Sequence, residues 1–460
     1  MSSSRARIVH NAQDGMAPVK GTKDYLPDEQ LGRERVLEVL RDTFKLYGYS
    51  PVETSILEHY QTAASKFGGG SEILKETYRL TDRGNRELAL RYELTFKLAK
   101  LFAMHQDIKL PFKRYEVGRV FRDGPVKAGR LREFTQCDVD VIGTESIAAD
   151  AELLGLTSHI FGKLGIDITI QVNNRKILFG IFEICGIGPD KHHEAAISID
   201  KFEKIGEDAV RSELISKGLA NGQVDDLFQI FRKVMALPEN NSMVGFLRSV
   251  GSRNRESLLI SGLNELDRLL EYCAEFNAIS EVEFTPNLAR GLGYYTGPMW
   301  EVYAKESSIT SSVAAGGRWD DMTGKFLGTG VKYPATGMGF GLDVIHTVLQ
   351  EKLIRDGTKS MSSSVPVLLI VPVDNAVANA AMRLATQLRE EGVSTDITFN
   401  MRVRKALDYA NKRDIPLVTV IGDTELENQS AEIKNMRSGH AETVSLEGMS
   451  AMIKEIIRSE

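Results

Sequence analysis

Residues 121–140 read FRDGPVKAGRLREFTQCDVD, and the pattern of this stretch decides the fold of the first half of the chain. Its glycines and Pro125 indicate a turn. The flanking segments, Phe112–Phe121 and Arg132–Gly143, have the composition of β-strands. The sequence therefore predicts two antiparallel strands around a polar loop, within an α+β domain built on an antiparallel sheet.

The predicted turn is rich in positive charge and leads into a strand with a polar face. Clustered arginines can grip phosphate oxygens in bidentate fashion, and the turn carries four cations: Arg122, Lys127, Arg130 and Arg132. Alternate residues of a strand share a face, which places Phe134 beside Gln136 and Asp140. Phe134 can stack on a base, while Gln136 and Asp140, about 13 Å apart, could flank a bound amino acid. An exposed charged hairpin without a ligand is the alternative.

Two further stretches place glycines beside charged or aromatic residues that could contact a ligand. Residues 288–297 read LARGLGYYTG and place Arg290 between glycines, ahead of Tyr294 and Tyr295. Residues 315–320 read AGGRWD, where glycines would let a ligand approach the backbone closely. For residues 288–297 the alternative is a tight turn before a strand. For residues 315–320 it is a β-turn without a ligand.

The chain divides by pattern into several parts. Residues 1–18 are predicted to form a disordered tail, and residues 19–355 a large α+β domain, interrupted at about 173–280 by a charged helical insertion. A polar linker is predicted over residues 356–364. From residue 365 to 460 strand-like and helical segments alternate, which predicts a small α/β domain with a mainly parallel sheet.

Composition narrows the class of protein. The net charge of -6 argues against a wholly basic nucleic-acid coat but permits a local basic face. No apolar run is long enough to cross a membrane. Three cysteines far apart in sequence predict no disulfide framework and a cytoplasmic protein; an organellar transit peptide at the N-terminus is the alternative. No metal-ligand spacing is present, and His192-His193 is predicted to lie on the surface.

Taken together, these stretches resemble the histidyl-tRNA synthetases from about residue 19 to the end of the chain. Lys20–Pro27 resembles the opening segment of that family, and Leu90–Thr95 resembles its strand that binds the substrate amino group. Residues 112–143 are similar to class II motif 2, and Gly337–Asp343 to the start of motif 3. Residues 288–297 and 315–320 are similar to the two histidine-specific motifs. The segment from 365 resembles the anticodon-binding domain of the family.

The resemblance implies a fold, an activity and partners. The fold would be a class II synthetase catalytic domain with a helical insertion, followed by a C-terminal α/β anticodon-binding domain. The activity would be ATP-dependent ligation of L-histidine to tRNA(His) through a histidyl-adenylate, with Mg²⁺ bound with ATP. A homodimer paired through motif 1, near residues 44–60, is also implied.

The resemblance assigns roles residue by residue. Glu93 and Thr95 would hold the α-amino group of histidine, and Gln136 would lie by its backbone. Asp140 and Tyr294 would read the imidazole nitrogens, with Tyr295 lining the pocket. Arg122 would bridge the substrate carboxylate and the α-phosphate of ATP. The remaining ATP contacts would be Phe134 on adenine, Arg130 on the outer phosphates and Arg290 on the α-phosphate, with Arg122 and Arg290 as the catalytic pair.

The sequence departs from the family pattern in five places. Val344 stands where motif 3 usually has an arginine, and Gly124 where motif 2 has a glutamate that reads adenine. The other departures are Ser55, Gly293 and Trp319. Two rival functions remain: a non-catalytic, synthetase-like regulatory subunit that senses histidine, and a class II synthetase for another amino acid. Arg290 and the segment from 365 argue against the first rival, and the Arg-Gly-Leu-x-Tyr-Tyr segment argues against the second.

Overall fold

The computed structural model describes residues 17–63, 74–105, 107–126, 129–251, 257–289, 294–357, 365–398 and 401–459. The tail predicted over residues 1–18 lies almost wholly outside the described residues, as do most of the predicted linker, Lys127 and Arg290. The chain divides into two compact units, Met1–Met361 and Ser362–Glu460.

The first unit is built on an eight-stranded mixed sheet. Its strands, in spatial order, are β1 (Ser50–Pro51), β5 (Phe112–Phe121), β6 (Glu133–Ile142), β11 (Ala335–Gly341), β10 (Ala314–Arg318), β9 (Pro298–Ala304), β7 (Ile168–Asn174) and β8 (Val282–Phe284). The six central strands pair antiparallel, whereas β1 and β8 pair parallel to their neighbours at the two edges. A separate three-stranded antiparallel sheet has the order β2 (Leu57–His59), β4 (Glu87–Leu90) and β3 (Arg79–Thr81). The predicted antiparallel sheet is therefore confirmed.

Helices cover the sheet and fill the insertion. Those of the catalytic unit are α1 (Pro27–Leu46), α2 (Tyr60–Ala63), α3 (Thr95–Met104), α4 (Ile147–Leu164), α11 (Met322–Leu327) and α12 (Leu342–Arg355). Between β7 and β8 lie α5 (Arg175–Ile184), α6 (His192–Ile199), α7 (Phe202–Ser216, interrupted at Gly206), α8 (Asn221–Met235), α9 (Asn240–Gly251) and α10 (Leu258–Glu275). The described part of the segment from 175 to 275 is thus helical, in keeping with the insertion read from the sequence.

Helix α1 shows why these elements form where they do. Proline at its first position fits the helix start, and Asp28 and Glu29 in the first turn complement the helix dipole. Apolar residues at helical spacing, including Val36, Leu40 and Phe44, are fully buried. The ring of Phe44 packs 5.8 Å from that of Phe340 on β11, so α1 covers one face of the central sheet and leaves the other face for the site.

The second unit is a five-stranded sheet with helices. Its strands, in spatial order, are β13 (Thr395–Ile397), β12 (Leu368–Pro372), β14 (Leu417–Ile421), β15 (Ser430–Asn435) and β16 (Ala441–Ser445). Its helices are α13 (Ala378–Glu390), α14 (Val403–Lys412), α15 (Asp423–Glu427) and α16 (Met449–Ser459).

The prediction of a mainly parallel sheet in this unit needs correction. The strands β12, β13 and β14 are parallel, but β15 and β16 form an antiparallel hairpin that continues the sheet. Both hairpin strands are rich in polar residues and lie toward the sheet edge, so they lack the continuous apolar run that marked β12 and β14. Across the described residues of both units, no helix is both long and apolar enough to cross a membrane.

Candidate active site

The hairpin of β5 and β6 carries the polar side chains of the site. Its register places Arg114 opposite Asp140 and Glu116 opposite Asp138, and paired residues of an antiparallel ladder point to the same face. All four side chains are buried. The hairpin predicted over residues 112–143 is confirmed, and the face predicted for β6 proves to continue onto β5.

Glycines on the neighbouring strands make room for these acids, and we call this glycine-lined region of buried acids and tyrosines the hollow. A Cβ atom on Gly337 of β11 would lie 1.8 Å from Oδ1 of Asp140, and one on Gly339 would lie 2.8 Å from Oδ1 of Asp138. On β10, a Cβ atom on Gly317 would lie 2.9 Å from the ring of Tyr295. The side chains of the acids and of Tyr295 therefore pack directly against glycine backbone, because a side chain at any of these three glycines would overlap them.

Burial and charge set the protonation of the β6 acids. Burial raises the pKa of Asp140 to about 6, although the Arg114 charge opposes the rise and Glu116 adds to it. The Arg114 guanidinium forms an ion pair with Asp140 at 2.8 Å. Burial likewise raises the pKa of Asp138, again opposed by Arg114. Asp140 is thus ionised at neutral pH and can accept an N–H from a ligand.

Glu93 joins the cluster from the segment that precedes α3. Its pKa is raised to about 7 by burial; the charge of Arg122 opposes this rise and that of Asp140 adds to it. The carboxylate accepts hydrogen bonds from the Tyr294 hydroxyl and the backbone N–H of Phe96. Thr95, the first residue of α3, is half-buried. The structure thus brings Glu93 together with residues from three other segments of the chain.

The paired tyrosines form one wall of the hollow. The rings of Tyr294 and Tyr295 meet edge to face, with centroids 4.9 Å apart. Burial raises the pKa of both hydroxyls, and the negative charge of Glu93 raises each further. Both hydroxyls are therefore protonated donors throughout the neutral range.

Arg122 and Phe134 lie together at the motif 2 end of the site. The Arg122 guanidinium is 5.0 Å from the Phe134 ring centroid and 4.3 Å from that of Tyr92. Its Nε donates to the backbone oxygen of Tyr92 at 3.3 Å. The aromatic faces hold the planar guanidinium by cation–π contact, with its charge close enough to Glu93 to lower that carboxyl's pKa.

Several buried polar atoms around the hollow have no hydrogen-bond partner within the described residues, and two of them lie on β6. Within the described residues, Oε1 of Gln136 and Oδ1 of Asp138 are buried and have no hydrogen-bond partner. Because buried polar atoms in proteins are nearly always satisfied, these two mark positions where a polar ligand would bind.

Among the described residues, the two other arginines of the motif 2 turn have protein partners. Arg130 pairs with Glu76 at 3.2 Å, and Arg132 pairs with Asp123 at 3.1 Å. Arg318 in the AGGRWD segment is buried and forms an ion pair with Asp150. Its role is structural, since it joins β10 to α4, while the glycine beside it forms the floor of the hollow.

One sequence expectation outside the site was wrong. His192 is buried rather than on the surface; its Nε2 lies 3.1 Å from the backbone oxygen of Ile187, and its ring packs 4.8 Å from that of Phe179. The neighbouring His193 is exposed. The amphipathic pattern of the insertion helices carried the signal for this burial, which a reading of the histidine pair by itself missed.

Several residues of the site were missed by reasoning from the sequence, namely Arg114, Glu116, Asp138 and Glu76. The first two alternate with apolar residues along β5, so the polar face of that strand was visible in the sequence. Glu76 had no such signal, because its position depends on the approach of a distant segment.

The long antiparallel sheet, the motif 2 hairpin and the glycine-floored hollow define the catalytic fold of a class II aminoacyl-tRNA synthetase. A family model of histidyl-tRNA synthetase matches residues 21–345, and a model of an anticodon-binding domain matches residues 368–456. The chain belongs to the histidyl-tRNA synthetase family.

Individual relatives agree over nearly the whole chain. Histidine--tRNA ligase 1 of a Bacillus cereus strain is 42% identical over 438 residues, which cover 95% of this chain and 99% of the relative. Histidine--tRNA ligase of Phocaeicola vulgatus is 34% identical over 95% of this chain and 98% of its own length. The crystal structure of histidyl-tRNA synthetase from Nostoc sp. PCC 7120 superposes with a TM-score of 0.82 at 26% identity, covering 96% of this chain and 99% of that one.

Proposed function

We propose that this chain ligates L-histidine to tRNA(His) in two steps, with a histidyl-adenylate between them. In the first step an oxygen of the histidine carboxylate attacks the α-phosphorus of ATP and pyrophosphate leaves. In the second a ribose hydroxyl at the tRNA 3′ end attacks the activated carbonyl carbon and AMP leaves. The observation that carries the proposal is the buried acidic hollow, in which Glu93 and Asp140 face the tyrosine pair above bare backbone.

The hollow suits the charged and polar groups of histidine. Glu93 and Thr95 would hold the α-ammonium group, and Gln136 would contact the backbone of the amino acid. Asp140 would accept a hydrogen bond from the N–H of one imidazole nitrogen, and the Tyr294 hydroxyl would form a hydrogen bond with the other nitrogen. Tyr295 would line the pocket. A site that hydrogen-bonds both ring nitrogens discriminates against an apolar isostere by about 10⁴ or more, since its buried polar groups would be left unpaired.

The motif 2 end suits ATP. Phe134 would stack on adenine, Arg130 would hold the outer phosphates, and Arg122 would bridge the histidine carboxylate and the α-phosphate. Arg290, which lies outside the described residues, would approach the α-phosphate from the opposite side. Catalysis of this step needs chiefly alignment and charge stabilisation, which two arginines on the reacting groups would supply.

ATP would arrive with Mg²⁺. Among the described residues no group of three or more His, Cys, Asp or Glu side chains is arranged to hold a metal ion. The donor set therefore fits a cation carried largely by the phosphates of ATP, the usual mode for Mg²⁺, where it would neutralise phosphate charge.

The grip on the γ-phosphate differs from the family pattern. Val344 lies against Gly129 and Gly341 and packs on the core beside Ile309. An aliphatic side chain cannot bind phosphate, so Arg130 becomes the main candidate for the outer phosphates among the described residues of motif 2.

Pyrophosphate exchange with each of the twenty amino acids tests the proposal. Exchange that depends on histidine, followed by transfer to tRNA(His), is the expected result. A histidine-sensing regulatory subunit would bind histidine without exchange, and a synthetase of another specificity would exchange with a different amino acid. Extensive similarity to histidine--tRNA ligases along 95% of the chain favours the ligase.

A homodimer and a cytoplasmic location complete the proposal. Ile56, Leu57 and Leu80 of the three-stranded sheet region are 43%, 51% and 41% exposed, which favours an isologous contact with a second copy near motif 1. Sedimentation of a fully active monomer at micromolar concentration would refute the dimer. The three cysteines are free and buried, which suits a reducing compartment.

A further inference from the structure

Glu76 lies outside the motifs read from the sequence but contacts the motif 2 loop directly. Its carboxylate accepts from Arg130 Nη2 at 3.2 and 3.3 Å and from the Tyr92 hydroxyl at 3.0 Å. Its backbone oxygen accepts from the N–H of Asp123 at 2.7 Å. Glu76 therefore joins the segment before β3 to both ends of the motif 2 loop.

Through Tyr92, Glu76 is also connected to Arg122, the second arginine of motif 2. Tyr92 carries the Arg122 guanidinium 4.3 Å above its ring and accepts from Arg122 Nε at its backbone oxygen. Burial raises the pKa of the Tyr92 hydroxyl to about 12, so it remains a donor to Glu76 at neutral pH. The Glu76 carboxylate thus holds Arg130 directly by an ion pair. It also holds Tyr92, whose ring supports Arg122, by a hydrogen bond.

Position 124 is shaped by the same carboxylate. A Cβ atom on Gly124 would lie 2.6 Å from Oε1 of Glu76 and 2.9 Å from its Cδ. The backbone of Gly124 does not have a positive φ, so the conformation itself does not require glycine. A side chain at position 124 would instead displace the Glu76 carboxylate from its present place.

The ion pair is too exposed to be explained by stability. The side chains of Arg130 and Glu76 are 48% and 21% exposed, and pairs at such positions add little to folding. Their contribution is therefore to orientation, since an exposed arginine left free has many rotamers to lose when a ligand binds.

We propose that Glu76 is a positioning residue of the ATP site, which holds Arg130 toward the outer phosphates and, through Tyr92, steadies Arg122. The inference rests on the proposed function, because it takes the phosphates of ATP as the ligand of Arg130. With valine at position 344, this orientation replaces part of the grip that a motif 3 arginine would give.

The test compares full-length Glu76→Gln and Gly124→Ala variants with the parent chain in histidine-dependent pyrophosphate exchange. The glutamine amide oxygen still accepts from Tyr92 but no longer carries the charge that pairs with Arg130. We expect KM for ATP to rise roughly three- to tenfold, with equilibrium binding of histidine and the thermal midpoint unchanged. Gly124→Ala should give a similar rise, because its methyl group displaces the same carboxylate.

The double variant and a matched control make the result specific. If both substitutions act through one contact, Glu76→Gln with Gly124→Ala should raise KM no more than about twofold beyond the larger single effect. Asp82→Asn removes a carboxylate that is similarly exposed, at 22%, and pairs with Arg86 in the turn between β3 and β4. That control should leave KM for ATP unchanged.

Three outcomes would overturn the inference. An unchanged KM in Glu76→Gln would show that Arg130 needs no anchor. A lower KM would show that Glu76 competes with ATP for Arg130. An equal loss of histidine binding would show general damage to the site. Failure of the parent chain to exchange pyrophosphate with histidine would instead refute the proposed function.

Discussion

Replacing Glu93 by glutamine should make the protein more stable at neutral to alkaline pH while weakening its affinity for histidine. Glu93 is 9% exposed and lies close to the carboxylates of Asp140 and Asp138. Glutamine has nearly the same shape and can still accept through its carbonyl oxygen from Tyr294 and from the backbone N–H of Phe96. The substitution therefore removes a buried charge without creating a cavity.

The magnitude follows from the pKa. The pKa of the Glu93 carboxyl rises from an ordinary 4.5 to about 7, and each pH unit corresponds to about 1.4 kcal/mol. Ionisation of this group in the folded protein therefore costs about 3 kcal/mol. Because the folded pKa is above the unfolded one, the parent protein is most stable below pH 4.5 with respect to this group and loses that contribution as pH rises to 7. Glutamine does not titrate, so its advantage in stability grows as pH rises from 4.5 to 7, is complete above pH 7, and is absent below pH 4.5.

Thermal unfolding across pH and histidine binding provide the assay. At about pH 8 and fixed protein concentration, Glu93→Gln should raise the thermal midpoint by a few degrees, and it should weaken histidine binding by about 10- to 150-fold through loss of a charge-assisted hydrogen bond. In the parent protein about one-tenth of Glu93 is ionised at pH 6, so affinity should fall about tenfold from pH 8 to pH 6. The variant should lose this part of the pH dependence and keep the part that belongs to Asp140 and to histidine itself.

Glu58 provides a matched control of opposite sign. It is also buried, and although burial alone would raise its pKa, contacts with Lys100 and Lys97 lower it below the ordinary value. Its contribution to stability is therefore present above the unfolded pKa and lost as pH falls. Glu58→Gln should destabilise the protein at about pH 8 and leave histidine binding intact. A Glu93→Gln variant that is less stable at this pH, or that binds histidine normally, would refute the reasoning.

Three further predictions concern the rest of the molecule. Asp140→Asn should weaken selectivity for histidine more than ATP binding, because the amide can form a hydrogen bond with one imidazole tautomer but carries no charge. The measurement is KM for histidine and for ATP in pyrophosphate exchange. A collapse of ATP affinity instead would contradict the assignment of Asp140 to the histidine pocket. Arg290→His should lower kcat on the order of 10²–10³ with histidine still bound, and near-normal exchange would show that the arginine acts elsewhere. A chain ending at residue 358 should retain exchange, provided it dimerises, but lose most aminoacylation, because the anticodon-binding domain is gone; an unchanged KM for tRNA would contradict this.

The sequence was most informative where structure is determined locally. The hairpin of β5 and β6 was predictable because turn residues and strand-forming segments lie next to one another in the chain. Helix α1 was predictable because Val36, Leu40 and Phe44 repeat at helical spacing. In the second unit, the apolar strand β12 was evident, but the polar hairpin of β15 and β16 was not, because its pairing depends on a sheet edge supplied by β14.

The candidate site was predictable in part, through its resemblance to a family. That resemblance suggested Glu93, Asp140 and the tyrosine pair, which the structure brings together. It did not suggest the ion pair between Arg114 and Asp140, because that contact is set by the strand register. Nor did it suggest Glu76, whose contact with Gly124 joins residues 48 positions apart. Strand register and contacts between residues far apart in sequence are properties of the folded chain, so no local sequence pattern predicts them.

The buried acids would favour the binding of an α-ammonium group. The charge of Asp140 raises the pKa of Glu93 and of Asp138, and the pKa values of Glu93 and Asp140 are about 7 and about 6. Arg114 and Arg122 offset part of this negative charge from opposite ends of the cluster. The ammonium group of histidine would bring a further positive charge and would draw the Glu93 carboxyl into its ionised form. Part of the free-energy cost of keeping these acids buried would thus be offset when the substrate binds, so electrostatic complementarity would contribute to affinity for the amino acid, while selection of histidine would depend on the hydrogen bonds to its ring nitrogens.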